Sequence, residues 1–252
     1  MTAKHPYLDH DGVLAFAHRG GAVEFPENTM VAFEGAIKMG YRYLETDVHL
    51  TKDGVLLAFH DDILDRVTDG QGAIADLTYD EVKKAKIGGV HAIPLLEELL
   101  VSYPDIKLNV DTKADGSVTP LLKILADNDA FDRVGIGSFS QKRLNFIRKE
   151  MGDKVCLSMA APKIAQLRFR SWGMPLPVPN AQCAQVPINV GALPVVRKSF
   201  IDCAHNNGMQ VHVWTIDDQA EMNWLLDLGV DGIMTDRPAL LKQVLSERGL
   251  WS

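Results

Sequence analysis

Cysteine is scarce, and so is any long apolar run. The 252 residues hold three cysteines, Cys156, Cys183 and Cys203. An odd number at wide spacing fits neither a disulfide framework nor a zinc site. They read as buried thiols in a reducing compartment. No stretch approaches the ~20 apolar residues that span a bilayer, and the opening "MTAKHPYLDHDG" has no apolar signal core. A cytoplasmic protein is the expectation, although a leader already removed would leave the same sequence. Positive charge is also in deficit, with 26 Lys and Arg against 33 Asp and Glu. The net charge of -7 argues against a general binder of nucleic acid or anionic membranes. It leaves room for an anionic substrate met by a few local cations. There is no Gly-x-Ser-x-Gly elbow for a serine hydrolase. There is no G-x-G-x-x-G or P-loop for a nucleotide enzyme. Internal repeats, low-complexity tracts and clear linkers are missing too.

What is present is a soluble, ordinary composition, 46% hydrophobic and 23% charged, with short apolar runs alternating with amphipathic stretches. Strands are predicted at 13–17, 43–48, 55–60, 107–111, 133–137, 155–158, 183–186, 210–214 and 231–235. Helices are predicted near 29–39, 94–102, 117–128, 140–150, 160–168, 193–206, 217–228 and 237–248. Repeated β-then-α order means a parallel sheet with helical crossovers. About eight such units in a chain of this length fit an α/β fold of the closed (β/α)8 TIM-barrel kind. One connection breaks the alternation. Lys52-Asp53-Gly54 between the second and third runs is a hairpin signal. That pair is expected to be antiparallel and to project from one end of the barrel. Residues 61–92, with a weak helix near 78–85, read as a small cap insertion over the mouth of one domain spanning 1–252. The Pro-rich run 172–179 reads as a stiff loop.

Chemistry in such barrels sits at the C-terminal strand ends. There the sequence places His18 and Arg19, then Glu45 and Asp47, then His60, Asp111 and Lys113, and finally Thr235 and Asp236. Glu45 and Asp47 are two apart, so on a strand both carboxylates share a face. Two like charges side by side call for a cation or a proton. Oxygen donors suit Mg2+ or Ca2+. Pairing across the hairpin returns His60 opposite residue 46 or 47, near His18 from the adjacent strand. Two converging histidines can act as general acid and base or ligate a metal. Arg19 offers a forked donor array for phosphate, or an ion pair with Glu45 or Glu27, and Lys113 a point charge. Gly20 and Gly21 allow a sharp turn. Asn28 or Thr29 is the natural N-cap of the next helix, whose N-terminus favours an anion.

These segments, "AHRGG…PENT", "ETDVHLTKDGVLLAFHDDILDRVTDGQG", "IPLLEELL", "NVDTK" and "VHVWTID…LGVDGIMTDRP", resemble the glycerophosphodiester phosphodiesterase family in the right order from about residue 13 to 245. The resemblance implies a barrel and a divalent cation. It also implies hydrolysis of a small glycerophosphodiester to glycerol 3-phosphate and an alcohol, within lipid and glycerol metabolism. It assigns acid and base roles to His18 and His60, metal binding to Glu45 and Asp47, and phosphate contact to Arg19 and Lys113. Trp214 would line the pocket. The family usually has glutamate where this chain has Asp111, one methylene shorter, which serves as the further metal ligand directly or through water. Leu95 stands where threonine is common, a packing change. Residues 160–182 match poorly. Arg168, Arg170 and Trp172 there read as a solvated loop, with contact to the leaving alcohol as the alternative. Two rivals stand beside this reading. One is a lysophospholipase D-type enzyme, which needs an apolar groove for an acyl chain, and the cap 61–92 is not conspicuously apolar. The other is a non-catalytic barrel that binds glycerophosphodiesters, which would not need both histidines. No partner nucleic acid and no stable membrane insertion are expected.

Overall fold

The computed structural model describes residues 5–251. Thirteen strands are assigned among them. They are β1 (Leu14–His18), β2 (Tyr43–Leu50), β3 (Leu56–Ala58), β4 (Lys86–Ile87), β5 (His91–Ala92), β6 (Lys107–Thr112), β7 (Val134–Gly137), β8 (Cys156–Leu157), β9 (Cys183–Val186), β10 (Asn189–Val190), β11 (Leu193–Pro194), β12 (Gln210–Val213) and β13 (Gly232–Thr235). The helices are α1 (Met30–Lys38), α2 (Tyr79–Val82), α3 (Leu96–Ser102), α4 (Val118–Asp127), α5 (Gln141–Met151), α6 (Ala161–Arg170), α7 (Lys198–Asn206), α8 (Gln219–Leu228) and α9 (Pro238–Glu247). Eight strands run parallel in the order β8-β7-β6-β2-β1-β13-β12-β9. The two ends are drawn together at one seam. There the Gln182 amide donates to the Leu157 carbonyl at 3.1 Å, and Leu157 N–H donates to the Gln182 side chain at 3.0 Å. The result is the nearly closed barrel that β/α alternation predicts.

Strand alternation sorts the side chains into two layers. Leu44, Leu108, Val110 and Ile136 face outward, into a core shared with Leu121, Leu144, Phe200, Met222 and Leu241 of the helices. Leu14, Phe16 and Tyr43 belong to a second cluster with Tyr7, Leu8 and Met234. Two residues further along the same faces come His18 and Glu45. The inner face of β1 and β2 is therefore apolar at the N-terminal end and polar at the C-terminal end. Tyr7 closes the apolar end. It is fully buried, and a Cβ on Gly135 would lie 2.4 Å from its ring. Within a stretch that reads as polar, Pro6–Leu8 forms a plug.

β2 and β3 are antiparallel, with Val48 opposite Ala58, as the Lys52-Asp53-Gly54 turn predicts. The Phe59 N–H continues the ladder to the Asp47 carbonyl at 2.9 Å. Residues 61–92 hold one helical turn, α2, and the β4–β5 hairpin. They pack Leu64, Ile74, Val82 and Ile87 on Leu57 and Phe59. Leu95, placed at the N-cap of α3 without a side-chain acceptor, packs on this same cluster. One helix begins later than predicted. Residues 189–194 form the β10–β11 hairpin, and α7 starts at Lys198. Gly191, at φ 58°, and Pro194 both oppose an earlier helical start. No helix among the described residues is long and apolar enough to cross a membrane.

Away from the mouth, His205 at the end of α7 pairs with Asp231 at 2.7 Å, and Asp231 also accepts the Val211 N–H at 2.7 Å. The hydrogen bond to Asp231 raises the His205 pKa above the usual 6.5 against the effect of partial burial. A raised folded-state value means the contribution is complete below pH 6.5 and fades as pH rises through the folded value. The pair is partly solvated, so about 1 kcal/mol or less is expected. Urea melts of the parent and His205→Gln at pH 5.5 and 8.5 check this. The stability gap between the two proteins should be larger at the acid end, and a gap independent of pH would exclude the pair as its source.

Candidate active site

Register brings the polar residues together. His18 pairs in register with Glu45, Glu45 with Asn109 and Asp47 with Asp111, and Asp111 with Gly137. All of them line one cavity of about 530 Å3 together with Arg19, His60, Lys113 and Trp214. Every residue singled out from the sequence for catalysis, phosphate contact or metal binding therefore lines a single pocket.

The two histidines are held alike. His18 Nδ1 lies 2.7 Å from Asp236 Oδ1, leaving Nε2 3.7 Å from Glu45 Oε2. His60 Nδ1 lies 2.5 Å from Asp61 Oδ1. A carboxylate on Nδ1 fixes that nitrogen as the donor and leaves Nε2 to exchange a proton. Burial pulls the His18 pKa down, but Glu45 and Asp236 outweigh it, and the net shift is upward. Asp236 is in turn placed by Asp217, which accepts its N–H at 2.8 Å and the Thr235 hydroxyl at 2.9 Å.

Arg19 sits at φ 52°, in the left-handed region that a non-glycine residue rarely occupies. This turn points its N–H at Glu45 Oε2, 3.3 Å away, and its guanidinium at Glu27, 3.1 Å away. The ion pair to Glu27 and the place in the pocket hold together. Arg66, from the segment 61–92, spans Glu27 and Asp61 with bonds of 2.5 to 3.1 Å. The chain His60–Asp61–Arg66–Glu27–Arg19 thus joins two ends of the site. Gly20 completes the turn at φ 81°, where a Cβ would fall 2.7 Å from Ala32 Cβ. Thr29, not Asn28, is the N-cap of α1, and its side chain accepts the Ala32 N–H. Asn28 instead accepts the Thr46 hydroxyl at 2.7 Å.

The acids form the floor. Burial, then the Asp47 charge, raises the Glu45 pKa to about 8. Burial raises Asp111 as well, against the pull of Lys113. Lys113 Nζ lies 2.7 Å from both Asp47 Oδ1 and Asp111 Oδ2. Asp47 Oδ2 and Asp111 Oδ1 are sealed from solvent without a hydrogen-bond partner, a costly state for carboxylate oxygens. Among the described residues no group of three or more His, Cys, Asp or Glu is closed to metal-ligating distance, and Lys113 lies between two of the acids. The donors nevertheless fit a hard divalent cation: three carboxylates on adjacent strands, with Asp111 Oδ1 unpartnered and Asp47 Oδ2 met only by Arg19 Nε at 3.4 Å.

Sequence reading missed the supports. Asn109 and Gln185 line the pocket and are joined at 2.7 Å. Asn109 lies two residues before Asp111 on one strand face, a signal that was available. The far wall comes from later in the chain. No residue between 61 and 92 lines the pocket, and the apolar side comes from Met159, Ile164, Val190, Leu193 and Val195. Arg168, read as part of a solvated loop, is buried in α6 and lines the same cavity. Trp214 is half-buried there, edge-on to Phe139 with ring centres 5.8 Å apart.

Residues 18–240 match the glycerophosphoryl diester phosphodiesterase family. The chain belongs to that family. It is similar to the "Probable glycerophosphodiester phosphodiesterase 2" of Mycobacterium tuberculosis, 38% identical over 97% of this chain and 95% of the relative. Its fold is shared with a solved Silicibacter pomeroyi DSS-3 chain at TM-score 0.83 and 22% identity, covering 100% of both. It is also shared with an Oleispira antarctica phosphodiesterase solved with the product sn-glycerol-3-phosphate. That match has TM-score 0.78 and 22% identity, over 93% of this chain and 97% of that one. Membership makes the chain a phosphodiesterase by class.

Proposed function

We propose that this cavity hydrolyses glycerophosphodiesters to glycerol 3-phosphate and an alcohol, with a divalent cation bound by Glu45, Asp47 and Asp111. The observation that carries it is the convergence of two carboxylate-anchored histidines, three buried acids and two cations on one pocket. The product seen in the Oleispira antarctica relative supports the same substrate class.

Bound Mg2+ or Ca2+ would supply positive charge against the phosphate and hold glycerol hydroxyls. Arg19 and Lys113 face the same pocket and stabilise the non-bridging oxygens as charge develops. One histidine takes the proton from the attacking oxygen through Nε2. The phosphorus–oxygen bond to the leaving alcohol breaks, and the other histidine delivers a proton to that oxygen. Asp236 and Asp61 hold the imidazolium that forms on each side. Trp214 walls the pocket. The segment 61–92 acts as a cap on one functional unit and contributes through Arg66, which ties Asp61 to Glu27.

Phosphorus NMR of a glycerophosphocholine digest tests this reading. Glycerol 3-phosphate as the phosphorylated product is expected, with free choline. A transient cyclic phosphate would mean attack by the substrate's own 2-hydroxyl, and its absence attack by water. Phosphocholine with free glycerol would overturn the reading, since the wrong phosphorus–oxygen bond would have been cut.

A further inference from the structure

Arg168 is a cation that the chemistry above does not use. It is 5% exposed and lines the cavity that holds His18, His60 and Lys113. A buried guanidinium normally requires an opposing charge. Among the described residues Arg168 has none. Its Nε donates to the Pro194 carbonyl at 3.1 Å, and its Nη1 to Ser171 Oγ at 2.8 Å and Ser199 Oγ at 3.3 Å. All three acceptors are neutral. Trp172 stacks on the guanidinium, 4.6 Å from carbon to ring centre. The remaining nitrogen, Nη2, makes no hydrogen bond and is not among the polar atoms sealed from solvent.

The charge that acts on Arg168 most directly is also positive, that of Arg197. Arg170 donates to the Leu176 carbonyl and Arg197 to the Val196 carbonyl, and among the described residues neither has a carboxylate partner. Lys113 and Arg19, in the same cavity, are matched by Asp47, Asp111 and Glu27. The cavity therefore joins a compensated centre to one uncompensated guanidinium held rigidly by its neighbours. Apolar side chains of the same cavity, such as Ile164 and Val195, lower the local dielectric and strengthen any charge met there.

We infer that Arg168 recognises a second negative charge on the leaving alcohol, so that the favoured glycerophosphodiesters carry a carboxylate or phosphate on that group. The inference rests on the hydrolytic reading above and adds a substrate class to it.

Two matched pairs test it. Glycerophosphoserine differs from glycerophosphoethanolamine by one carboxylate. Glycerophosphoinositol 4-phosphate differs from glycerophosphoinositol by one phosphate. The full chain, supplied with Mg2+ or Ca2+, should favour the acidic member of at least one pair by about tenfold in kcat/KM, the scale of one charge-assisted contact. Arg168→Gln should bring that ratio close to one, and Arg168→Lys should keep part of it. A second variant guards against misfolding of the first. Ala165 also lines the cavity, three residues before Arg168 on the same helix. Ala165→Glu sets a carboxylate beside the guanidinium, keeps the Arg168 side chain, and should erase the same preference. Turnover of all four diesters without preference overturns the inference alone. So does a preference that survives both Arg168→Gln and Ala165→Glu. Turnover of none overturns the hydrolytic reading, and this inference with it.

Discussion

His60→Ala is expected to lower kcat for glycerophosphocholine by about a thousandfold, within the range of losing a positioned acid or base. His60 is the cleaner of the two histidines to remove. Its side chain is 32% exposed, against 15% for His18, so truncation opens no large cavity. Its carbonyl accepts the His49 ring N–H at 2.9 Å, a backbone contact that alanine keeps. The melting temperature should therefore stay near that of the parent, and the loss should fall on kcat more than on KM. Asp61→Asn leaves the imidazole in place but weakens its orientation, and a loss of about ten- to a hundredfold is expected. His18→Ala should cost activity on the His60 scale and some stability too, since His18 is largely enclosed and paired with Glu45 and Asp236. Near-parental kcat in folded His60→Ala, measured by single-turnover kinetics, would remove His60 from the reaction.

Chelation is expected to act as strongly. Treatment with EDTA should cut glycerol 3-phosphate release by at least about a hundredfold, and Mg2+ or Ca2+ should restore it. The reason lies in the floor of the site. Glu45, Asp47 and Asp111 are buried on adjacent strands, and the charge facing them comes mainly from Lys113 and Arg19. Asp111 Oδ1 remains without a hydrogen-bond partner, and Asp47 Oδ2 has only the Arg19 Nε at 3.4 Å. The phosphodiester brings a further negative charge into this space. Protein cations alone leave the loaded site net negative, and a hard divalent ion corrects that. All the candidate donors are oxygens, so Zn2+ is expected to restore activity less well than Mg2+ or Ca2+. Full activity in EDTA, with the chelator shown to have removed bound ion, would exclude this role.

The fold was legible because two periodicities alternate along the chain. Each predicted barrel strand lies within two residues of an observed one, since Leu14–His18, Lys107–Thr112 and Gly232–Thr235 carry an apolar face for the helices. The same period of two made the site legible. Glu45 and Asp47 are acids on a strand flanked by Leu44 and Val48, and Asp111 and Lys113 end another. What stayed hidden depends on contacts between segments far apart in sequence. Arg66 reaches Glu27 across 39 residues, and nothing local marks that pairing. Tyr7 looks like part of a polar terminus until the barrel floor receives it. The apolar wall is built by α6 and the β10–β11 hairpin, where Val190 and Leu193 are too short a pattern to read as strands. Arg168 sits in a helix that mixes apolar residues with Lys163, Gln166 and Arg170, so its burial follows from what packs over it and not from its neighbours in the chain.

Titration calorimetry of Mg2+ and Ca2+ into the metal-free protein and into Asp47→Asn tests the central claim most directly, with glycerol 3-phosphate release followed on the same samples. The carboxylate cluster predicts one ion bound per chain in the parent. In the folded variant, ion binding and activity should be lost together. Binding undiminished in Asp47→Asn, or rapid hydrolysis by a parent protein that holds no ion, would contradict the assignment of Glu45, Asp47 and Asp111 as the cation site of this enzyme.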